Sequence, residues 1–138
     1  MATAEGLEVE LVGGGLLPAG GPTAATLRRW AQRAAAALGV RRGHLAIHVV
    51  DEGRIADLNG RFRGKPTPTD VLAFPIDEGE DGGEGPPPEL GDVFICPSRC
   101  EDITECVVHG VLHLLGMDHE RDGGEMLALQ AELLKGRR

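Results

Sequence analysis

Three histidines within eleven residues carry the chemistry this chain could perform: His109-Gly-Val-Leu-His113-Leu-Leu-Gly116-Met-Asp-His119. His109 and His113 are four apart, and on a helix that spacing puts both rings on one face with Cβ atoms roughly 5–6 Å apart. Two such imidazole nitrogens can both reach a single zinc ion at about 2.0–2.1 Å. His119 cannot join them from a continuing helix, because six more residues at about 1.5 Å rise would carry it roughly 9 Å along the axis. The chain must stop and turn back after His113, and Gly116 stands where a left-handed helix-ending residue is wanted. A lone histidine on an apolar face is usually a hydrogen-bonded core residue. Three at this spacing, with a glycine at the break, predict a metal centre with one Zn2+ per chain. Three protein ligands leave the fourth position open, the arrangement of catalytic rather than structural zinc.

Other candidate ligands fit less well. Cys96, Cys100 and Cys106 are three in number, without the density of a disulfide framework. A strand position and a first helical turn give Cys96 and Cys100 a poor geometry for one ion, so small buried side chains are the reading. His44 and His48 lie on one face of a strand, but four strand residues span about 13 Å. They are read as structural.

The elements that must position the histidines follow from periodicity and capping. Leu7 to Val12 alternates apolar and acidic residues, a strand. Thr23 caps a helix to about Leu38, with Leu27, Trp30, Ala31, Ala34 and Leu38 inward and Gly39 ending it. Leu45 to Val50 is a second strand, and Asp51 opens a short helix through Ile55 and Leu58. Asp70 to Ile76 and Asp92 to Cys96 read as third and fourth strands. Between them, Asp77 to Leu90 is rich in glycine, proline and acid, a mobile hairpin connection. Ser98 and Glu101 form an S-x-x-E capping box that opens the histidine helix. A last amphipathic helix, Glu125 to Lys135, turns Met126, Leu129 and Leu133 to one side. The order β-α-β-α-β-β-α-α predicts an α/β (α+β) fold, a single domain over residues 1–138 with a mixed four-stranded sheet covered by helices.

Composition bounds the partners. An apolar fraction of 41% over 138 residues suffices for one core. No apolar run approaches the ~20 residues that cross a bilayer, and the N-terminus lacks the pattern of a secretory signal, so a cytoplasmic protein without a membrane partner is expected. The net charge is −8, yet nine basic residues between Thr26 and Lys65 face only three acidic ones. A polyanion responds to the field within a Debye length of about 8 Å, so composition leaves two readings open, a local basic patch for phosphates and a set of solvated arginines on a helix.

The histidine stretch H-G-x-L-H-L-x-G-x-D-H resembles the signature of the YbeY family. Leu58-Asn59-x-x-x-Arg63, followed by Thr69-Asp70-Val71-Leu72-Ala73-Phe74-Pro75, is similar to that family's central block, and Gly91 to Cys96 to its next strand. The likeness covers roughly residues 45 to 135. It implies a zinc-dependent endoribonuclease specific for single-stranded RNA. The implied work is maturation of small-subunit ribosomal RNA at its 3′ end, together with ribosome quality control. The implied partners are ribosomal RNA and the small ribosomal subunit. By motif position Arg63 and His109 are then catalytic, and His109, His113 and His119 hold the metal. Ala73 stands where the family usually has serine, and Met117 where an aromatic is common. Between Cys96 and His109 the chain is shorter than is usual, so that a helix and a loop would merge into the single helix beginning at Ser98.

Phosphodiester cleavage suits these residues. Neutral imidazoles leave an ion its full charge, and a guanidinium fork fits a phosphate with two parallel hydrogen bonds. A zincin-type metallopeptidase is the first alternative. It needs H-E-x-x-H with the glutamate as base, and that place is Gly110. A non-catalytic, metal-stabilised module that binds the ribosome is the second. No general base is evident: Asp118 either orients an imidazole or stabilises the turn, and Glu120 reads as solvated.

Overall fold

The computed structural model describes residues 6–76 and 86–135. Its elements follow the expected order: β1 (Leu7–Val12), α1 (Ala24–Ala37), β2 (Gly43–Val49), α2 (Glu52–Arg63), β3 (Val71–Pro75), β4 (Glu89–Ile95), α3 (Ile103–Leu114) and α4 (Glu125–Leu134). The four strands form one sheet in the order β1-β2-β4-β3. β1 runs parallel to β2 and β2 to β4, whereas β3 is antiparallel to β4, so the sheet is mixed and β3 is an edge.

Alternation along the strands assigns the helices to two faces. Val71, Ala73, Val93 and Ile95 join the main core with α1, α3 and α4, while Leu72, Phe74, Phe94 and Cys96 point the other way and pack on Ile55 and Leu58 of α2. α3 is central to the larger layer: Val107, Val108, Val111 and Leu112 are fully buried. It can lie against the sheet because residue 110 is glycine. A Cβ there would stand 2.7 Å from Val93 Cγ1 and 2.9 Å from Val71 Cγ2.

The expected caps of the first two helices hold. Thr23 Oγ1 accepts from the Thr26 amide at 3.1 Å, and Asp51 Oδ1 from that of Arg54 at 2.9 Å. The inward face of α1 is also as expected, with Leu27, Trp30, Ala31 and Ala34 buried.

Other expectations are corrected. Ser98 does not open the histidine helix. It lies in a short 3-10 turn, Pro97–Arg99, where its hydroxyl donates to Glu52 Oε2 at 2.9 Å. α3 starts at Ile103, capped by Asp102, whose Oδ1 accepts from the Glu105 amide at 3.2 Å. The helix and the preceding loop are therefore separate, not merged. The S-x-x-E pattern is local, and a carboxylate 46 residues away outcompetes it for the hydroxyl. α2 is also longer than the short helix expected, running on to Arg63. β4 begins at Glu89 rather than Asp92, since Leu90 packs on the core and Gly91, at φ +134°, lets the Phe74 carbonyl approach where a Cβ would stand. Of the acidic connection 77–90, residues 77–85 lie outside those described.

Candidate metal centre and its cleft

His109 and His113 project from the last two turns of α3, and His119 returns to them after a tight reversal. Gly116 takes φ +112°. The Met117 amide donates to the Leu112 carbonyl at 3.1 Å and the Gly116 amide to that of His113 at 3.1 Å, the paired bonds of a Schellman ending. Asp118 then closes a turn: Oδ1 accepts from the Glu120 amide at 3.0 Å, and Oδ2 lies 3.5 Å from Arg121 Nε. Its contacts are those of a turn stabiliser. Ring centroids stand 6.4 Å apart for His109 and His113, 5.1 Å for His109 and His119, and 6.3 Å for His113 and His119.

Hydrogen bonds set the proton positions. His113 Nδ1 faces the Met117 carbonyl at 2.8 Å, and a carbonyl only accepts, so Nδ1 carries the hydrogen. His109 Nδ1 is 2.9 Å from Gln130 Oε1, while Gln130 Nε2 donates to Glu105 Oε2 at 3.0 Å. The carboxylate fixes which end of the amide faces His109, and the ring must again donate from Nδ1. With Nδ1 as the donor, the neutral form of either ring keeps its free lone pair on Nε2. Nδ1 of His119 is buried and has no hydrogen-bond partner among the described residues.

Three imidazoles are donors of the kind a divalent ion takes. Imidazoles sharing one tetrahedral zinc at about 2.0–2.1 Å have centroids roughly 5 Å apart. The His109–His119 pair meets that value, and His113 stands about 1 Å wider of both. Accordingly, no three His, Cys, Asp or Glu side chains among the described residues are already closed on one ligand position. A buried ring nitrogen without a partner carries a desolvation penalty of about 1–3 kcal/mol, which a ligand there would offset.

The three rings and Arg63 line one cleft of about 410 Å³, with Asp70, Ala73, Asp118 and Glu120 also on its walls. Arg63 arrives from the opposite face of the sheet. It is the final residue of α2, and Gly64, at φ +75°, ends the helix by donating to the Asn59 and Gly60 carbonyls. Asn59, buried, donates to the Thr67 carbonyl at 2.9 Å and so ties the descending loop to the helix. Arg63 thereby reaches round the edge strand β3. Among the described residues no carboxylate pairs with it. Arg54 and Arg61, by contrast, lie 3.6 and 3.9 Å from Asp57.

Residues 22–137 match the family model described as Endoribonuclease YbeY. The chain belongs to the YbeY family. A Thermobifida fusca protein named Endoribonuclease YbeY is 43% identical over 109 residues, spanning 67% of this chain and 70% of that one. One of the same name from Aquifex aeolicus is 38% identical over 111 residues, spanning 72% and 71%. The solution structure of TM1509 from Thermotoga maritima superposes with a TM-score of 0.56 at 26% identity, covering 92% of this chain and 87% of that one.

On this YbeY-family scaffold the remaining candidates fall away from the cluster. His44 sits on the α2 face of the sheet between Glu89 (2.9 Å) and Glu10 (3.1 Å), and His48 bonds Asp92 at 2.8 Å and stacks on Phe94 at 4.4 Å. The three cysteines are free thiols, with Cys96 and Cys106 buried. The neighbouring Cys100 thiol and burial, with Asp70 and Glu105 adding to them, push the Cys106 thiol far up, so it stays protonated and unfit as a ligand. The basic stretch does not make one patch: α1 with Arg28, Arg29 and Arg33 covers one face of the sheet and α2 the other. Gln130 is the site residue that sequence reasoning missed.

Proposed function

We propose that the chain is an endoribonuclease that cuts single-stranded RNA and depends on one zinc ion bound by His109, His113 and His119, with Arg63 gripping the scissile phosphate. The family membership supports cleavage of RNA. The observation that carries the site is the meeting, in one cleft, of three histidines and an arginine that pairs with no carboxylate among the described residues. A bound zinc ion would supply Lewis acidity and activate water at neutral pH. Arg63 presents two parallel N–H donors to the non-bridging oxygens and offsets charge building on the phosphorane-like transition state. His109, which the family resemblance counts among the catalytic residues as well as the ligands, borders both this cleft and the neighbouring one. Ribosomal RNA and the small ribosomal subunit are the partners this reading carries, and the cytoplasm its compartment. No helix among the described residues is long and apolar enough to cross a membrane.

The zincin alternative loses its base on steric grounds. Position 110 has no room for a Cβ against Val93 and Val71, let alone a glutamate. Zinc-loaded protein, purified without a polyhistidine tag, should cleave labelled single-stranded RNA and leave casein intact, with His113→Ala inactive. Digestion of casein alone would establish the peptidase. Digestion of neither would leave a ribosome-binding module, and equal RNA cleavage by His113→Ala would overturn the site.

A further inference from the structure

Three of the chain's four aromatic side chains form one continuous array on the α2 face of the sheet. Phe62 packs on Phe74 with centroids 5.1 Å apart, Phe74 on Phe94 at 5.7 Å, and Phe94 stacks flat on His48 at 4.4 Å. The outer member, Phe62, is 62% exposed, the largest exposure of any large hydrophobic residue described. A singly exposed ring is ordinary on a protein surface, and it is the position of this one that matters. Phe62 immediately precedes Arg63, and Phe74 immediately follows Ala73, and both Arg63 and Ala73 line the histidine cleft. β3 is the edge of the sheet, so the cleft and the aromatic array are the two sides of a single strand.

Charge decides what fits over that edge. Arg61, Arg63 and Lys65 surround Phe62 in sequence at the end of α2, and the latter two have no carboxylate partner among the described residues. A second cavity of about 350 Å³ shares Asp70 and His109 with the cleft and adds three more acids, Glu101, Asp102 and Glu105, which repel phosphate. A polyanion seated in the cleft is thus excluded from one exit and drawn towards the other, where a bare aromatic ring waits. An exposed ring beside cations is what an unpaired nucleobase stacks on, with a gain that does not depend on base identity.

We propose that Phe62, held from behind by Phe74 and Phe94, is a stacking platform for the base next to the phosphodiester that Arg63 grips. It is a positioning residue, and its role rests on the ribonuclease reading. Single-strand preference follows, because a base still paired and stacked in a duplex cannot lie on the ring.

The test is equilibrium binding of a fluorescein-labelled 2′-O-methyl oligoribonucleotide, checked on a gel for an intact strand, against a series carrying one abasic site moved along the chain. The wild-type protein should bind about tenfold more weakly when the abasic site reaches one particular position, within the range stacking contributes. Phe62→Ala should bind the complete strand at that weakened level and show no further loss from any abasic position, while Phe62→Trp should restore the discrimination. Discrimination by Phe62→Ala equal to wild type overturns the proposal, as does a wild-type protein indifferent to every abasic position. Cleavage is scored separately on unmodified RNA. Absence of cleavage with the abasic pattern intact would refute the nuclease reading and leave the platform standing.

Discussion

Gln130 Oε1 accepts the Nδ1–H of His109 at 2.9 Å, joining α4 to the first histidine across 21 residues of chain. The same amide donates to Glu105 at 3.0 Å, so its orientation is fixed from behind. The bond holds the ring with Nε2 towards the cleft and selects the tautomer a metal needs. Gln130→Leu removes the acceptor while keeping an apolar body for the α3–α4 contact. Zinc affinity, measured by competition with a chromogenic chelator, should fall about 10–100-fold, the usual cost of losing such an outer partner. Unchanged affinity would show that ring orientation is set by packing alone.

Gly110→Ala tests how tightly α3 is pressed on the sheet. In an exposed helix the change would stabilise by up to ~1 kcal/mol. Here the new methyl falls 2.7 Å from Val93 Cγ1 and 2.9 Å from Val71 Cγ2, and both valines are stiff at χ1. Overpacking of this kind costs about 1–3 kcal/mol and should win. Urea denaturation should show a lower midpoint at unchanged slope. A midpoint equal to or above wild type would mean that α3 can shift off the sheet at little cost.

The histidine cluster was legible in the sequence because its constraints are local. A spacing of four fixes a shared face, and Gly116 is the only residue of the motif that can end the helix and turn His119 back. The sheet was legible for the same kind of reason, since alternation in β1 and a β-branched run in β2 reflect one strand at a time. What the sequence hid depends on distant partners. Ser98 reads as a cap until Glu52, on another helix, claims its hydroxyl. Gln130 sits at a position that an amphipathic pattern leaves unremarked, and only the folded chain puts it behind His109. Gly60 carries no signal in the sequence, and only the folded chain shows Pro66 of the returning loop packing 3.0 Å from where a Cβ would stand.

Asp102 and Ser98 separate the two assignments of the helix start. Asp102→Ala removes the acceptor for the Glu105 amide and should cost about 1 kcal/mol, within the range for lost N-caps. Ser98→Ala touches an exposed hydroxyl bonded to Glu52 and should stay within about 0.5 kcal/mol. Thermal melts of the two variants give the order directly. A larger loss for Ser98→Ala would return the cap to the earlier residue.

Arg63→Ala should lower RNA cleavage at least about a hundredfold, the scale of losing one preorganised donor to a developing anion. Zinc content should be unaltered, because the side chain lines the cleft and ligates nothing. Arg63→Lys keeps the charge but loses the planar fork, and should recover only part of the rate. Metal analysis beside a single-turnover assay distinguishes the cases. Wild-type cleavage by Arg63→Ala would remove the residue from the mechanism.

His44 makes the fold sensitive to pH far from the cleft. The hydrogen bond with Glu89 holds its imidazolium above the ordinary value of 6.5, partial burial opposes this, and Glu10 and Glu8 add to the upward shift. A group whose pKa is higher folded than unfolded binds its proton more tightly in the native state. Its contribution is therefore complete below about pH 6.5 and is lost as pH rises through the folded value. His44→Gln keeps a polar side chain between the two glutamates but cannot titrate. Urea midpoints taken from about pH 6 to pH 9 should fall more steeply for the wild type than for this variant, since the other titrating groups are common to both. Parallel slopes would mean that the Glu10–His44–Glu89 bridge across β1, β2 and β4 is as strong with a neutral ring as with a charged one.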